Sequence, residues 1–164
     1  MHPLVEEAMK KAAVAWLAVG HRPPYAVWCL WIDGVLYVVS GPGEQSAPDL
    51  AEAPAAVVTA RGDHGGRIVS WPASVRRLDP GTDEWATVTP QLAGKRLNLA
   101  AETAADTTAR WAAECVVSAL TPADDEAETG PALPDGSLAA PPLPSPAARP
   151  ARKPFRLHRV RKPR

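Results

Sequence analysis

The sequence is poor in cysteine and in net charge, and it contains no long apolar run. Two cysteines among 164 residues exclude a disulfide framework and a four-cysteine zinc site. Equal numbers of basic and acidic residues, 18 of each, exclude a uniformly basic nucleic-acid binder and a uniformly acidic scaffold. No apolar run reaches the ~20 residues that cross a bilayer, so we expect no membrane insertion.

Aromatic and charged residues are distributed unevenly along the chain. All six tryptophans and both tyrosines precede residue 112, whereas residues 123–164 hold nine of the 19 prolines and one aromatic residue, Phe155. The acidic residues of that segment end at Asp135, and eight basic residues follow from Arg149 onward. So few large apolar groups cannot offset the entropy lost on ordering. We predict one folded domain at 1–122 and a disordered tail at 123–164 that is acidic, then proline-rich, then basic.

The N-terminal segment has only a superficial likeness to a signal peptide. Lys10 and Lys11 precede an apolar run, but Glu6 and Glu7 stand where a signal peptide is basic. Each glutamate lies four residues before a lysine, which is the spacing of ion pairs on a helix. Apolar residues recur at helical intervals at Val5, Met9, Ala12 and Trp16. We therefore predict a short amphipathic helix and a cytoplasmic protein.

Several segments have the composition of β-strands. Residues 25–32 and 35–39 are apolar runs separated by Asp33-Gly34, a strong signal for a tight hairpin. Because neither run alternates with polar residues, we expect both faces of these strands to be covered. Further strands are predicted at 55–61, 67–78 and 115–120, and Pro72 places the middle one at a sheet edge or a bulge.

Helical signals lie between the last two predicted strands. Thr82 and Thr89 are candidate caps, and Pro90 suits a first helical turn, so we predict two short helices after residue 81. A further helix is predicted from Thr103 to about Ala113. The order of elements indicates an α+β fold that is mainly β with flanking helices, built on a small antiparallel barrel.

A series of short motifs follows in order through the predicted barrel. They are Trp16-Leu17-Ala18-Val19, Arg22-Pro23, Trp28, Asp33-Gly34, the run from Leu36 to Gly43, Leu50, Val57-Val58-Thr59-Ala60 and the run from Val69 to Val75. Over about 15–122, their order and spacing resemble the pyridoxamine 5'-phosphate oxidase-like split-barrel family, which includes flavin and deazaflavin-dependent reductases. The resemblance implies a homodimer with cofactor clefts between the subunits. It also implies a strand within 12–19, where the helical periodicity favours a helix.

The resemblance places a phosphate loop at 40–50. Glu44 and Asp49 in this loop would repel a phosphate, so Arg61, Lys95 or Arg96 would have to supply the cation. Trp71, like Trp28 and Trp31, is a candidate to stack on a flavin ring, although tryptophans on strands are more often core residues. The implied cofactor is FMN or a deazaflavin. Its candidate ligands are Ser40, Gly41, Gln45, Ser46, Arg61, Trp71, Lys95 and Arg96. The alternative is that Gly41-Pro42-Gly43 forms only a turn and no cofactor binds.

Other reactive residue types show no pattern that indicates chemistry. Cys29 and Cys115 lie in apolar strands, which is typical of inert buried thiols. The four histidines have no metal-ligand spacing, so no metal site is predicted, and no residue is identified as catalytic.

Two functional hypotheses follow. The first is a flavin- or deazaflavin-dependent oxidoreductase that acts on a small molecule, with the redox chemistry supplied by the cofactor. The second is a cofactor-free split barrel that serves as an interaction module, with the basic residues of 149–164 contacting nucleic acid or an acidic partner. The same tail is also compatible with a solvated segment that binds nothing specific.

Overall fold

The fold is an antiparallel barrel with three helices, and the computed structural model describes residues 1–62, 65–96 and 103–133 of the chain. Its elements in chain order are α1 (Pro3–Lys11), β1 (Val14–Ala18), β2 (Tyr25–Trp28), β3 (Leu30–Ile32), β4 (Val35–Ser40), β5 (Ala55–Arg61), β6 (Arg67–Arg77), α2 (Asp83–Lys95), α3 (Ala104–Glu114), β7 (Val116–Pro122) and β8 (Glu128–Thr129), followed by a 3-10 turn at Gly130–Ala132. The predicted α+β fold, a small barrel with flanking helices, is confirmed.

The barrel closes through one extended segment that changes partner at Cys29. The strand order is β2-β1-β5-β6-β7-β4-β3, and β2 and β3 are separated by Cys29 alone. The ladder between β1 and β2 includes the Val14–Trp28 pair, whereas the ladder between β3 and β4 begins at the Leu30–Tyr37 pair. The two ends of the sheet are therefore two halves of one segment. We call residues 28–30 the seam of the barrel.

The predicted hairpin at Asp33-Gly34 is confirmed. Both residues have positive φ, 48° for Asp33 and 84° for Gly34, as the two-residue turns that match the twist of β-strands require. Ile32 pairs with Val35 directly across the turn. The strand predicted at 55–61 is also observed with the same bounds, as β5.

Two apolar clusters lie on the two sides of the barrel wall. The interior is filled by residues that include Leu17, Val27, Leu36, Val38, Val58, Val69, Trp71 and Leu120, and by Val5 and Met9 of α1. Outside the wall, α2 and α3 pack on β4 and β7 through residues that include Tyr37, Val39, Trp85, Leu92, Trp111 and Val117. β4 is therefore buried on both faces, which explains why its sequence does not alternate.

The opposite part of the outer wall is not covered by helices. Side chains of β1, β5 and β6 that alternate with the core residues point away from the interior. Val14, Val57 and Ile68 are 46%, 44% and 38% exposed, and Trp16 is half-buried. We call Val14, Trp16, Val57 and Ile68 the bare face.

The disagreement over residues 12–19 is resolved in favour of a strand. α1 ends at Lys11, and the next residue, Ala12, is extended. Val5 and Met9 are buried on the helix as its periodicity predicts, but Trp16 lies in β1, opposite Ala26 and Thr59. Pairing with two neighbouring strands outweighs the helical spacing, since propensity and periodicity are weak against tertiary pairing.

Among the described residues 82–96, the structure has one helix where two short helices were predicted. Thr82 caps α2 as predicted, accepting a hydrogen bond from the backbone of Trp85. Thr89 is not a cap, because it is buried within the helix and its hydroxyl donates to the carbonyl of Trp85. Pro90 lies inside α2. Pro90 and Ala86 are both exposed, so water can reach the Ala86 carbonyl that Pro90 leaves without a backbone donor.

The prediction that Pro72 marks an edge or a bulge is wrong. β6 pairs with β5 along its length and with β7 from Ala73 onward, while β8 pairs with Val69 and Ser70 on the same side as β7. Pro72 lies between these two partners, and its carbonyl accepts a hydrogen bond from Ala123. A proline is tolerated there because neither ladder needs its missing N–H.

The first residues of the predicted tail lie against the barrel. Glu128 and Thr129 pair with β6, and Leu133 is only 9% exposed. The described part of the chain therefore packs on the barrel past residue 122, as far as Leu133. The remainder of the predicted tail, 134–164, lies outside the described residues, and its disorder stays a prediction.

Candidate functional site

A cavity of about 580 Å³ lies between the ends of α1 and α2, beside the seam. Its residues come from the end of α1 and the following turn, the start of β1, the seam, the loop after β4 and the end of α2. They are Lys10, Lys11, Ala12, Ala13, Val14, Trp28, Cys29, Leu30, Glu44, Gln45, Lys95 and Arg96. We call it the α1–α2 cavity. Its volume is within the usual range for small-molecule sites.

Basic residues border the α1–α2 cavity on two sides. On α1, Lys10 and Lys11 pair with Glu6 and Glu7 one turn earlier. On α2, Lys95 is exposed and makes no ion pair with any residue in the described ranges. Within the described ranges, Lys95 is therefore a cation that no ion pair offsets, and it lies among small and apolar lining residues, an arrangement suited to a ligand with an apolar body and an anionic end.

The Glu44 side chain is fully buried and surrounded by cations. Its Oε1 lies 2.8 Å from Nη2 of Arg110 and accepts a hydrogen bond of 2.8 Å from the Trp111 indole. Its Oε2 lies 2.9 Å from Nε of Arg96, at an angle that gives a charge contact and not an aligned hydrogen bond. The negative charge that sequence analysis placed in a phosphate loop is therefore neutralised from within the protein.

Glycines allow the loop after β4 to lie against α3. Gly41 has φ 142°, and a Cβ there would lie 3.0 Å from both Cα and Sγ of Cys115. Gly43 has φ 74° and lies against Nη1 of Arg110. The Pro42 carbonyl accepts from Arg110 at 3.1 Å. The sequence identifies these glycines as positions where the backbone can adopt unusual conformations. It does not show that the glycines let the loop approach Cys115 and Arg110.

Gln45 bridges the split in the barrel wall. Its Oε1 accepts from the Trp28 N–H at 2.7 Å, and its Nε2 donates to the carbonyls of Trp28 at 2.8 Å and Val39 at 3.0 Å. The side-chain amide thus replaces a peptide group where β4 separates from the seam. The oxygen and the nitrogen of the amide both bond to the backbone. Gln45 therefore forms part of the wall of the neighbouring cavity, and its amide is already engaged within the protein.

The second acidic residue of the loop, Asp49, is also paired. Its carboxylate accepts from Nε of Arg22, and it has a positive φ of 63°. Both partners are about half exposed, at 57% and 54% of the side chain, so this surface ion pair contributes little stability. It does show that neither carboxylate of the loop lacks a cation.

The predicted cofactor ligands do not form one cluster. Ser40, Gly41, Gln45 and Ser46 line a separate cavity of about 360 Å³, whereas Gln45, Lys95 and Arg96 line the α1–α2 cavity. Trp71 is inside the barrel, 1% exposed, with its ring edge-on to Trp31 at 6.0 Å between centroids.

Arg61 lies on the outer wall, away from the loop after β4. Its guanidinium carbon is 4.4 Å from the centroid of the Trp16 ring, and its Nη1 donates to the Gly65 carbonyl at 3.3 Å. Its surroundings are thus the bare face and the β5–β6 turn. Of the three candidate cations, Lys95 and Arg96 border the α1–α2 cavity and Arg61 does not.

Sequence analysis did not identify Arg110 and Trp111 as neighbours of the loop. They lie 66 and 67 residues from Glu44, and no local pattern indicates such a pairing. The one available signal is the adjacent Arg110-Trp111 pair in the helix predicted from Thr103, which places an aromatic residue beside a cation. Lys10 and Lys11 were identified as ion-pair partners but not as cavity residues.

Both cysteines are buried and reduced. Burial raises the pKa of the Cys29 thiol to about 12, and burial likewise raises the pKa of Cys115. A thiol with a raised pKa is a poor nucleophile at neutral pH.

Among residues 1–62, 65–96 and 103–133, no group of three or more His, Cys, Asp or Glu side chains is placed to hold a metal ion. In the same part of the chain, no helix is both long and apolar enough to cross a membrane.

Comparison with solved structures identifies the fold. No protein-family model matches the sequence, and no curated protein matches it. The structure superposes on the heme storage protein HutZ from Vibrio cholerae with a TM-score of 0.53 and 14% identity, covering 79% of this chain and 95% of HutZ. A Listeria innocua protein provisionally described as a pyridoxamine 5'-phosphate oxidase gives a TM-score of 0.50, 14% identity and coverage of 76% and 94%.

An F420 reductase gives a TM-score of 0.50 and 18% identity, covering 73% of this chain and 93% of the reductase. At such identities the likeness concerns the course of the backbone and not a shared activity. The chain therefore has the split-barrel fold of the pyridoxamine 5'-phosphate oxidase-like proteins, as its sequence motifs indicated.

Proposed function

We propose that the protein binds a flavin-type cofactor, FMN or a deazaflavin, in the α1–α2 cavity and acts as an oxidoreductase on a small molecule. The observation that carries this proposal is the combination of the cavity of about 580 Å³ with Lys95 and Arg96 at its rim. A planar ring system with an anionic side chain requires an apolar slot that ends at fixed cations.

The main objection from the sequence was the acidic character of the loop. Glu44 is neutralised by Arg96 and Arg110, and Asp49 by Arg22. Since Lys95 adds a further positive charge, the wall formed by the loop and the end of α2 is cationic overall. The described residues therefore fit an anionic cofactor, and the acidic loop no longer favours the cofactor-free alternative.

Different residues of the cavity would contact different parts of such a cofactor. Lys95 and the outer edge of Arg96 would bind its anionic group, Trp28 would orient the ring system by its indole face, and the small side chains at residues 12–14 would exclude water. When bound, the cofactor supplies the hydride or electron transfer. Cys29 keeps its proton at neutral pH because burial raises its pKa to about 12, so the seam presents a neutral surface to the ring.

The bare face supports a homodimer as part of the same proposal. Three apolar side chains there are more than a third exposed, and apolar side chains grouped on a sheet face that no helix covers support an interaction site. The face lies on β1, β5 and β6, and Val14 belongs both to it and to the α1–α2 cavity. A second copy on this face would therefore also border the cofactor cavity.

Titration of the purified protein with FMN, followed by flavin fluorescence, tests the proposal. We expect saturable binding at micromolar concentrations, about −8 kcal/mol at 1 μM. Lys95→Gln should weaken FMN binding about threefold, as expected for one exposed cation. Arg77→Gln removes an exposed cation that does not line the cavity, so this control should bind as the wild type does. Absence of binding of both FMN and a deazaflavin would contradict the proposal.

A further inference from the structure

The Arg96–Arg110 pair holds an anion that the protein itself provides. The Glu44 side chain is 0% exposed, and the two arginine side chains are 17% and 23% exposed. Two guanidinium groups and the Trp111 indole N–H converge on one carboxylate. Such a set of donors is the kind that binds a phosphate or carboxylate of a ligand.

Both arginines are also anchored independently of the carboxylate. Arg96 Nη2 donates to the Gly43 carbonyl at 2.7 Å, and Arg110 Nη1 donates to the Pro42 carbonyl at 3.1 Å. These contacts hold the guanidinium groups by the backbone of the loop. If Glu44 were shortened, the two cations would keep their places and face a vacated, positively charged space.

This space adjoins the wall of the α1–α2 cavity. Arg96 and Glu44 line that cavity, while the Glu44 side chain is fully buried. A ligand anion in the cavity therefore meets Lys95 and the outer side of Arg96, but not the space between the two arginines.

We propose that the Glu44 carboxylate acts as an internal anion, which takes the place that a ligand phosphate would otherwise occupy. It thereby determines how strongly the cavity prefers a phosphorylated ligand. The carboxylate fills the space between Arg96 and Arg110 and excludes a ligand phosphate from it. The cavity therefore distinguishes weakly between a phosphorylated flavin and its dephosphorylated form, with less than about a tenfold difference in Kd. This ligand preference rests on the proposed function, whereas the role of Glu44 as an internal anion does not.

Replacement of the carboxylate by a small anion from solution tests the internal-anion role without any flavin. Glu44→Ser removes the carboxylate that both arginines contact and should lower Tm. Sodium formate or inorganic phosphate should then raise Tm of this variant by at least about 3 °C more than sodium chloride at equal ionic strength. Phosphate stabilises folded proteins in general, so the response of wild type sets the baseline, and Asp49→Ser, which removes an exposed loop carboxylate, should match it. A folded Glu44→Ser protein whose responses to the three salts equal those of wild type would overturn the proposal.

Glu44→Gln provides the second variant in case the serine protein does not fold. Glutamine keeps the shape and a hydrogen-bond acceptor but removes the charge, so the space stays filled while the wall gains one positive charge. We expect the ratio of the riboflavin Kd to the FMN Kd to rise at least about threefold over wild type. In Glu44→Ser, which also gains room, it should rise at least about tenfold. An unchanged ratio in flavin-binding variants would contradict the ligand preference. If no variant or wild type binds either flavin, the proposed function fails, and the formate measurement alone decides the role of Glu44.

Discussion

The two halves of the outer barrel wall differ in what covers them. β4 and β7 direct Tyr37, Val39 and Val117 outward, and these are buried beneath α2 and α3. β5 directs Val57 and Thr59 outward, and Val57 remains 44% exposed. The interior faces of both halves are filled alike by apolar side chains. The apolar interior therefore stabilises the closed barrel in both halves. The outward-facing residues differ between the halves, and they determine which part of the surface remains free for a partner.

The covered half should be the more sensitive to truncation. Trp111 is 0% exposed, lies 6.5 Å from Trp28 between ring centroids and donates to Glu44. Trp111→Ala creates a cavity and removes this donor, so we expect a loss of about 3–5 kcal/mol in the free energy of unfolding. Chemical denaturation measures it. A loss below about 1 kcal/mol would show that the helices are not tightly packed on this half.

The seam, where the halves meet, should be intermediate. Gln45→Ala leaves the N–H and carbonyl of Trp28 without their side-chain partner, which should cost about 1–3 kcal/mol. Gln91→Ala is the control, because its amide bonds only to one exposed helical carbonyl. Equal denaturation midpoints for the two variants would contradict a bridging role for Gln45.

The bare half should be the least sensitive within one chain. Val57→Asp changes an exposed position, so the free energy of unfolding of an isolated chain should change by less than about 0.5 kcal/mol. Self-association should nevertheless be lost, because an unpaired carboxylate would be buried between two copies. Sedimentation velocity of wild type and variant measures this. Thr87→Asp on the exposed side of α2 is the control. A wild type that sediments as a monomer would remove the dimer from the proposal.

The smallest effect is expected from ionisation of the Cys29 thiol at the seam, which changes the free energy of unfolding only at alkaline pH. Burial raises the pKa of Cys29 from 9.0 to about 12, so the folded state favours the protonated thiol. Its contribution to stability is complete below pH 9 and is lost as the pH rises toward about 12. Raised pKa values of about 12 for Tyr25 and Tyr37 act in the same direction above pH 10. Cys29→Ala should therefore reduce the fall in stability between about pH 9 and 10, measured by denaturation at a series of pH values. An identical slope in wild type and variant would contradict this.

Local signals in the sequence correctly predicted most of the strands and the starts of α2 and α3. Asp33-Gly34 encodes its turn by the backbone conformations that these residues tolerate. Thr103 and Asp106 form a reciprocal capping box at the start of α3, close to the predicted start. These features depend on neighbours within a few positions, which a single sequence displays.

Features that depend on distant contacts were not predictable. Pro90 indicates a helix start, yet α2 continues through it because its exposed side tolerates the missing hydrogen bond. Glu44 suggests repulsion of phosphate, yet Arg110 neutralises it from 66 residues away. Gln45 has the chemistry of a ligand-binding residue, but a gap between two ladders occupies its amide. The sequence shows which side chains are charged and which can form hydrogen bonds. Which groups these side chains pair with depends on the fold.

The change of partner at Cys29 also affects how the molecule behaves in a crowded solution. An open sheet of this size would end in two rows of unpaired N–H and carbonyl groups, which can recruit strands from other chains. Here both terminal strands belong to one segment, and the Gln45 amide occupies the backbone groups of Trp28 where the ladders part. Within the described residues, the Gln45 amide therefore occupies part of the gap at which a strand of another chain could pair. A dimer formed through the bare face would then join two barrels by their side chains, without merging their sheets.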